Sequence, residues 1–127
     1  MNVQKLNYCM ELVEKDVGDG FLASSIVSME DAQTIIATAK SSAKTATLFA
    51  QITQNLQKSL AEGQGYPQLG RYYYLDLAGN KGILFIPLGD YQWGVAIDTK
   101  KAKLGLLLNV LLPKMLDAFE DAVISSS

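Results

Sequence analysis

Between Leu69 and Thr99 the chain reads LGRYYYLDLAGNKGILFIPLGDYQWGVAIDT, three apolar and aromatic runs parted by two tight turn signals. Arg71 to Leu77, Gly82 to Leu88 and Tyr91 to Asp98 predict strands, with Gly79-Asn80 and Gly89-Asp90 as the turns. A meander of this kind is antiparallel. Tyr73, Leu75 and Leu77 alternate with Tyr72, Tyr74 and Asp76, and Ile83 and Phe85 oppose Leu84 and Ile86, so both faces of the sheet need cover. Trp93, Val95 and Ile97 line one face of the third strand. Pro87 has no amide hydrogen to donate and belongs at a strand end or bulge.

Before the meander the period changes. Across residues 2–16, Val3, Leu6, Met10 and Val13, and then Val17, recur at steps of three and four, predicting an amphipathic helix stopped by Gly18-Asp19-Gly20. Phe21 to Ser28 and Gln33 to Ala39 predict a hairpin, although its turn through Met29-Glu30-Asp31-Ala32 lacks the glycine that tight connections favour. After a linker or cap at Lys40-Ser41-Ser42, Ala43 to Ala61 reads as a helix ended by Gly63-Gln64-Gly65-Tyr66-Pro67. Phe49, Ile52, Leu56 and Leu60 form one stripe on it, and Ala43, Ala46, Ala50 and Thr53 a second, of small side chains. Thr47, Gln51, Gln54, Asn55 and Lys58 form its polar face.

A last helix runs from about Lys103 to Val123, with Leu104, Leu108, Leu111, Met115, Leu116, Phe119 and Val123 as its apolar face. Pro113 falls inside it, and a proline costs about 3 kcal/mol in a regular helix interior, so a kink or break is expected there. Ser125-Ser126-Ser127 reads as a frayed tail. The order is helix, two strands, helix, three strands, helix, an α+β sandwich in one domain over 1–127.

Composition narrows the chemistry. With 49% hydrophobic and 19% charged residues in 127, the chain is an ordinary globular one that can bury a core unaided. A net charge of −2 leaves no basic stripe for nucleic acid, and the Lys100, Lys101, Lys103 cluster reads as a solvated corner. Cys9 is the single cysteine, expected as a buried inert thiol, and there is no histidine. An intramolecular disulfide, cysteine-rich and histidine-based metal sites and histidine-based triads are thereby excluded. The N-terminus lacks the pattern of a secretory signal, and the apolar run Leu104 to Leu112, interrupted by Asn109, is too short to span a bilayer. A cytoplasmic protein without membrane insertion is expected.

Gly63-x-Gly65 follows a helix and lacks the Gly-Lys-Ser/Thr ending of a phosphate loop. Glu11, Glu14, Asp16 and Asp19 do not have calcium-loop spacing, and Ser24-Ser25 has no visible base to activate it. No catalytic residue, metal or cofactor is expected, and the chain reads as a non-enzyme.

The stretch IPLGDYQWGVAIDTKKAKLGLLLNVLLPKMLDAF, together with the element order, resembles the roadblock family, the dynein light-chain type domain also found in bacterial regulators of small GTPases. The resemblance implies a five-stranded antiparallel sheet with helices on both faces, similar in plan to profilin. It also implies a homodimer paired through the third strand and second helix, here Arg71 to Leu77 and Ala43 to Ala61. On that model Phe49 and Ile52 seat the helix, and Ala46, Ala50, Thr53, Tyr72 and Tyr74 meet the second copy, so a glutamate at Ala50 should split the pair. Thr47, Gln51, Gln54, Asn55 and Lys58 then form a platform for a Ras-like small GTPase. Two departures stand out: Glu30-Asp31-Ala32-Gln33 replaces the family's Asp-Gly-like turn, and Pro113 interrupts the last helix. The alternative is a profilin- or PAS-like ligand-binding domain with Trp93 and the tyrosines lining a pocket between sheet and helix.

Overall fold

A computed structural model describes residues 2–38 and 43–124, which form three helices and one five-stranded sheet. The chain runs α1 (Val3–Val17), β1 (Phe21–Ser28), β2 (Thr34–Ala37), α2 (Ala43–Glu62), β3 (Tyr73–Leu77), β4 (Lys81–Leu88), β5 (Tyr91–Asp98) and α3 (104–124). All neighbouring strands are antiparallel, in the order β2-β1-β5-β4-β3. The expected α+β class and element order therefore hold. Joining hairpin to meander falls to β1 and β5, which place Ile26 opposite Trp93 and Ser24 opposite Val95. The expected linker at Lys40-Ser41-Ser42, the end of the second strand at Ala39 and the tail at Ser125-Ser126-Ser127 lie outside the described residues.

Edges differ from the sequence reading for physical reasons. β3 begins at Tyr73, not Arg71. In the register that sets Tyr73 against Phe85, Arg71 would face Pro87, which has no N–H to give, and the ladder stops short of it. The β1–β2 turn manages without glycine by placing Ala32 in the left-handed region, φ 57°. That conformation costs an L-residue about 1–2 kcal/mol. The Asp31 carboxylate, which accepts from the Gln33 N–H at 3.2 Å, and the Ser28 N–H, which donates to the Gln33 carbonyl at 2.8 Å, hold it.

α1 and α3 cover one face of the sheet. Leu6, Cys9, Met10 and Val13 of α1 and Leu111, Met115 and Phe119 of α3 bury Ile26, Leu84, Ile86, Trp93, Val95 and Ile97. Ion pairs Lys5–Asp121 and Lys114–Asp16, both 3.0 Å, stitch the two helices where they meet solvent, and such exposed pairs add little stability. Trp93 donates through Nε1 to Ser24 Oγ at 2.7 Å, and Ser24 donates on to the Gly94 carbonyl at 3.0 Å, so this hydroxyl is committed to the core. Gly82 is required by Tyr74: a Cβ there would lie 1.9 Å from the tyrosine hydroxyl, which leans across from the edge strand.

Instead of breaking at Pro113, α3 continues through it. Leu104–Leu106 is α-helical, Leu107–Leu111 is a π-turn, and Leu112–Ile124 is α-helical again. The Leu112 N–H reaches back five residues to the Leu107 carbonyl. Widening the helix just ahead of Pro113 relieves the clash its ring would make with the carbonyl four residues back.

Candidate protein-interaction surface

On the other face of the sheet α2 is the one helix among the described residues. Ala46 and Ala50, each 2% exposed, and Thr53, fully buried, point down to the sheet. Small side chains are needed because the sheet below is bulky. Phe49 meets Phe85 edge-on, centroids 5.1 Å apart at 81°, and Phe85 stacks on Tyr73 at 4.8 Å and 18°. Thr53 donates its one proton to the Gln92 side-chain carbonyl, so at its other contact it accepts from the Tyr73 hydroxyl. This buried chain ties α2 to β5 and β3. Burial raises the Tyr73 pKa above its ordinary 10.0, against the opposing pull of the Thr53 hydrogen bond, and keeps the phenol as the donor.

The Phe49 flank of α2 thus lies over β4 and β3, and half-buried Ile52 continues it one turn on. Gln54, on the opposite flank, donates to the Met29 carbonyl in the β1–β2 turn at 2.9 Å. The outer face carries exposed Thr47, Gln51, Gln54, Asn55 and Lys58. Leu48, 52% exposed, sits in their midst beside Lys44, Thr47 and Gln51. Next to this face β3 ends the sheet, and its outer edge pairs with no strand among the described residues. Arg71, the chain's single arginine, lies just ahead of β3 and is exposed, not enclosed in a strand.

No protein-family model matches the chain, and no curated protein is detectably similar in sequence. Solved structures are. Myxococcus xanthus MglB superposes with a TM-score of 0.79 at 18% identity, over 96% of this chain and 90% of that one. A Roadblock/LC7 domain from Streptomyces avermitilis gives 0.68 at 10% identity, covering 92% and 96%. An MglB described with a tetrameric arrangement gives 0.68 at 14%, covering 96% and 95%. The chain has the roadblock fold. At these identities the likeness concerns fold, and the resemblance read from the sequence is upheld at that level.

Within the roadblock fold the residues expected at a seam do not form one surface. Ala46, Ala50 and Thr53 are spent on the chain's own sheet, so these three serve packing within the chain and have no area left for a second copy. Tyr72 and Tyr74 are half-buried on the opposite face, against the core under α1 and α3. The five platform residues do share the outer face of α2. What the sequence reading passed over is Leu48, whose signal was there: an apolar residue inside a polar face. A cavity of about 200 Å³ lies beneath the start of α2, among Ala23, Phe49, Ile83, Gly94 and Ala96, but Trp93 is on the other face of the sheet and does not line it. No helix among the described residues is long and apolar enough to cross a membrane.

Proposed function

We propose that this protein is a cytoplasmic, non-catalytic roadblock-type scaffold that pairs with a second copy of itself and binds a Ras-like small GTPase. The observation that carries the proposal is the outer face of α2: a mostly polar surface with one exposed leucine, alongside an unpaired edge strand. An open edge is an aggregation hazard unless something pairs with it, and a second copy laid antiparallel along β3 removes the hazard. The Ile52 flank of α2, which leans over that edge, meets its twin; this replaces the alanine stripe as the seam. A multimeric MglB with this fold supports the pairing.

The platform is then Thr47, Gln51, Gln54, Asn55 and Lys58 around Leu48, doubled by symmetry. Leu48 supplies the apolar anchor and the amides and lysine the polar rim, the usual anatomy of a protein interface. Such a module acts by binding one nucleotide state of the GTPase more tightly than the other, which shifts its switch regions without donating a catalytic group.

The test is calorimetric titration against Ras-like GTPases loaded with GDP or with a non-hydrolysable GTP analogue. Tighter binding of one state, weakened about tenfold or more by Leu48→Ala with Gln51→Ala, is the expected result. Equal affinity for both states, unmoved by those substitutions, would overturn the proposal.

A further inference from the structure

A second surface lies across the sheet from α2. The end of α1 and the first turns of α3 enclose a groove of about 400 Å³, lined by Lys15, Asp16, Leu106, Leu107, Val110, Leu111 and Lys114. Leu107 and Leu111 are buried and form its floor, whereas Leu106 and Val110 are 62% and 49% exposed on its wall. Leu106 and Val110, like Leu107 and Leu111, are four residues apart on α3, so each pair shares a face, one left in water and one turned to the core.

Charge around the groove is unlike the rest of the chain. Lys15 and Lys114 stand on its rim, and Lys100, Lys101 and Lys103 are exposed on the turn that leads into α3. That turn is fixed beside the end of α1, because Gly20 packs so closely on it that a Cβ would fall 2.5 Å from the Ala102 Cβ. In a chain of net charge −2 this corner gathers five lysines, with Asp16 on the rim held by Lys114 at 3.0 Å and Asp19 and Asp98 nearby.

We propose that this groove docks an acidic amphipathic helix of a partner protein. Its concave, apolar floor suits one or two protruding leucine-like side chains at helical spacing. Lys15 on its rim, and Lys103 three residues ahead of Leu106, suit carboxylates on the flanks of the same helix. An anionic lipid surface is the poorer fit, since it is flat and the groove is concave. The surface is separate from the outer face of α2, so the groove and the GTPase platform can be occupied together, and the two proposals stand or fall independently.

Fluorescence anisotropy with the full chain tests it, using a labelled, end-capped helical peptide carrying leucines at i, i+3, i+4 and i+7 with glutamates on both flanks. The matched lysine peptide and phosphatidylglycerol vesicles serve as competitors. The glutamate peptide should bind saturably and more weakly as salt is raised. Leu106→Ser with Val110→Ser should weaken it about tenfold or more, and Lys15→Glu with Lys103→Glu at least about threefold. All four positions are at the surface, and unchanged melting of the variants confirms that they fold. Absence of saturable binding, equal binding of the lysine peptide, affinity indifferent to the substitutions, or binding to vesicles in place of peptide would each overturn the proposal.

Discussion

Thr53 does more at the α2–sheet contact than its size implies, because one hydroxyl satisfies a buried amide and a tyrosine at once. Thr53→Val keeps the shape and leaves the Gln92 carbonyl without a donor in a dry site, which costs about 1–3 kcal/mol. Urea unfolding should show that loss, and should show much less of it in a Gln92→Leu background; equal losses in both backgrounds would mean that the contact is not coupled. Cys9 offers a second residue-scale test. Burial, with the Asp121 charge adding to it, pushes the thiol from 9.0 up to about 11. Between those values the unfolded chain gives up the proton and the folded chain keeps it, so stability falls as pH rises from about 9 to about 11. Tyr73 and Tyr74, also raised, add to the decline at its upper end. The urea midpoint should therefore drop across this window, and drop less in Cys9→Ala; identical slopes would refute a folded-state thiol held neutral.

Elements were legible from the sequence wherever turn chemistry bounded them. β1 and β5 occupy the expected residues, and α2 runs one residue further than expected. Orientation was the harder question. Two stripes on α2 were apolar enough to face a core, and the choice between them rests on the volume of the facing residues. Phe85 and Tyr73, contributed by strands far along the chain, fill the space under the helix and leave room only for alanines and a threonine. Nothing local to α2 records that. The consequence is a changed expectation for Ala50→Glu: it buries an unpaired carboxylate against the sheet and should unfold the chain, not merely split a pair. Ile52→Glu, on the half-buried flank over the edge, should leave the circular dichroism spectrum intact and produce a monomer. The π-turn in α3 was also beyond reach, since Pro113 announces a disturbance without saying whether the helix bends, breaks or widens.

At the scale of the whole molecule, antiparallel topology and two covered faces followed from alternation and turns, and the resemblance to roadblock domains implied one five-stranded sheet; the β1–β5 pairing that closes it is visible in neither, because it joins segments some seventy residues apart. The asymmetry of cover among the described residues carries the functional account: two helices on one face, a single helix with an exposed outer surface on the other, and beside it an edge strand with no strand paired to its outer side. That account stands on pairing. Light scattering of the purified chain over a wide range of dilution tests it most directly, with Ile52→Glu measured alongside. A mass near twice 13.8 kDa that persists on dilution and falls to a single chain in the variant is the expected result. A folded monomer at every concentration would contradict the claim that the edge strand and the flank of α2 meet a second copy.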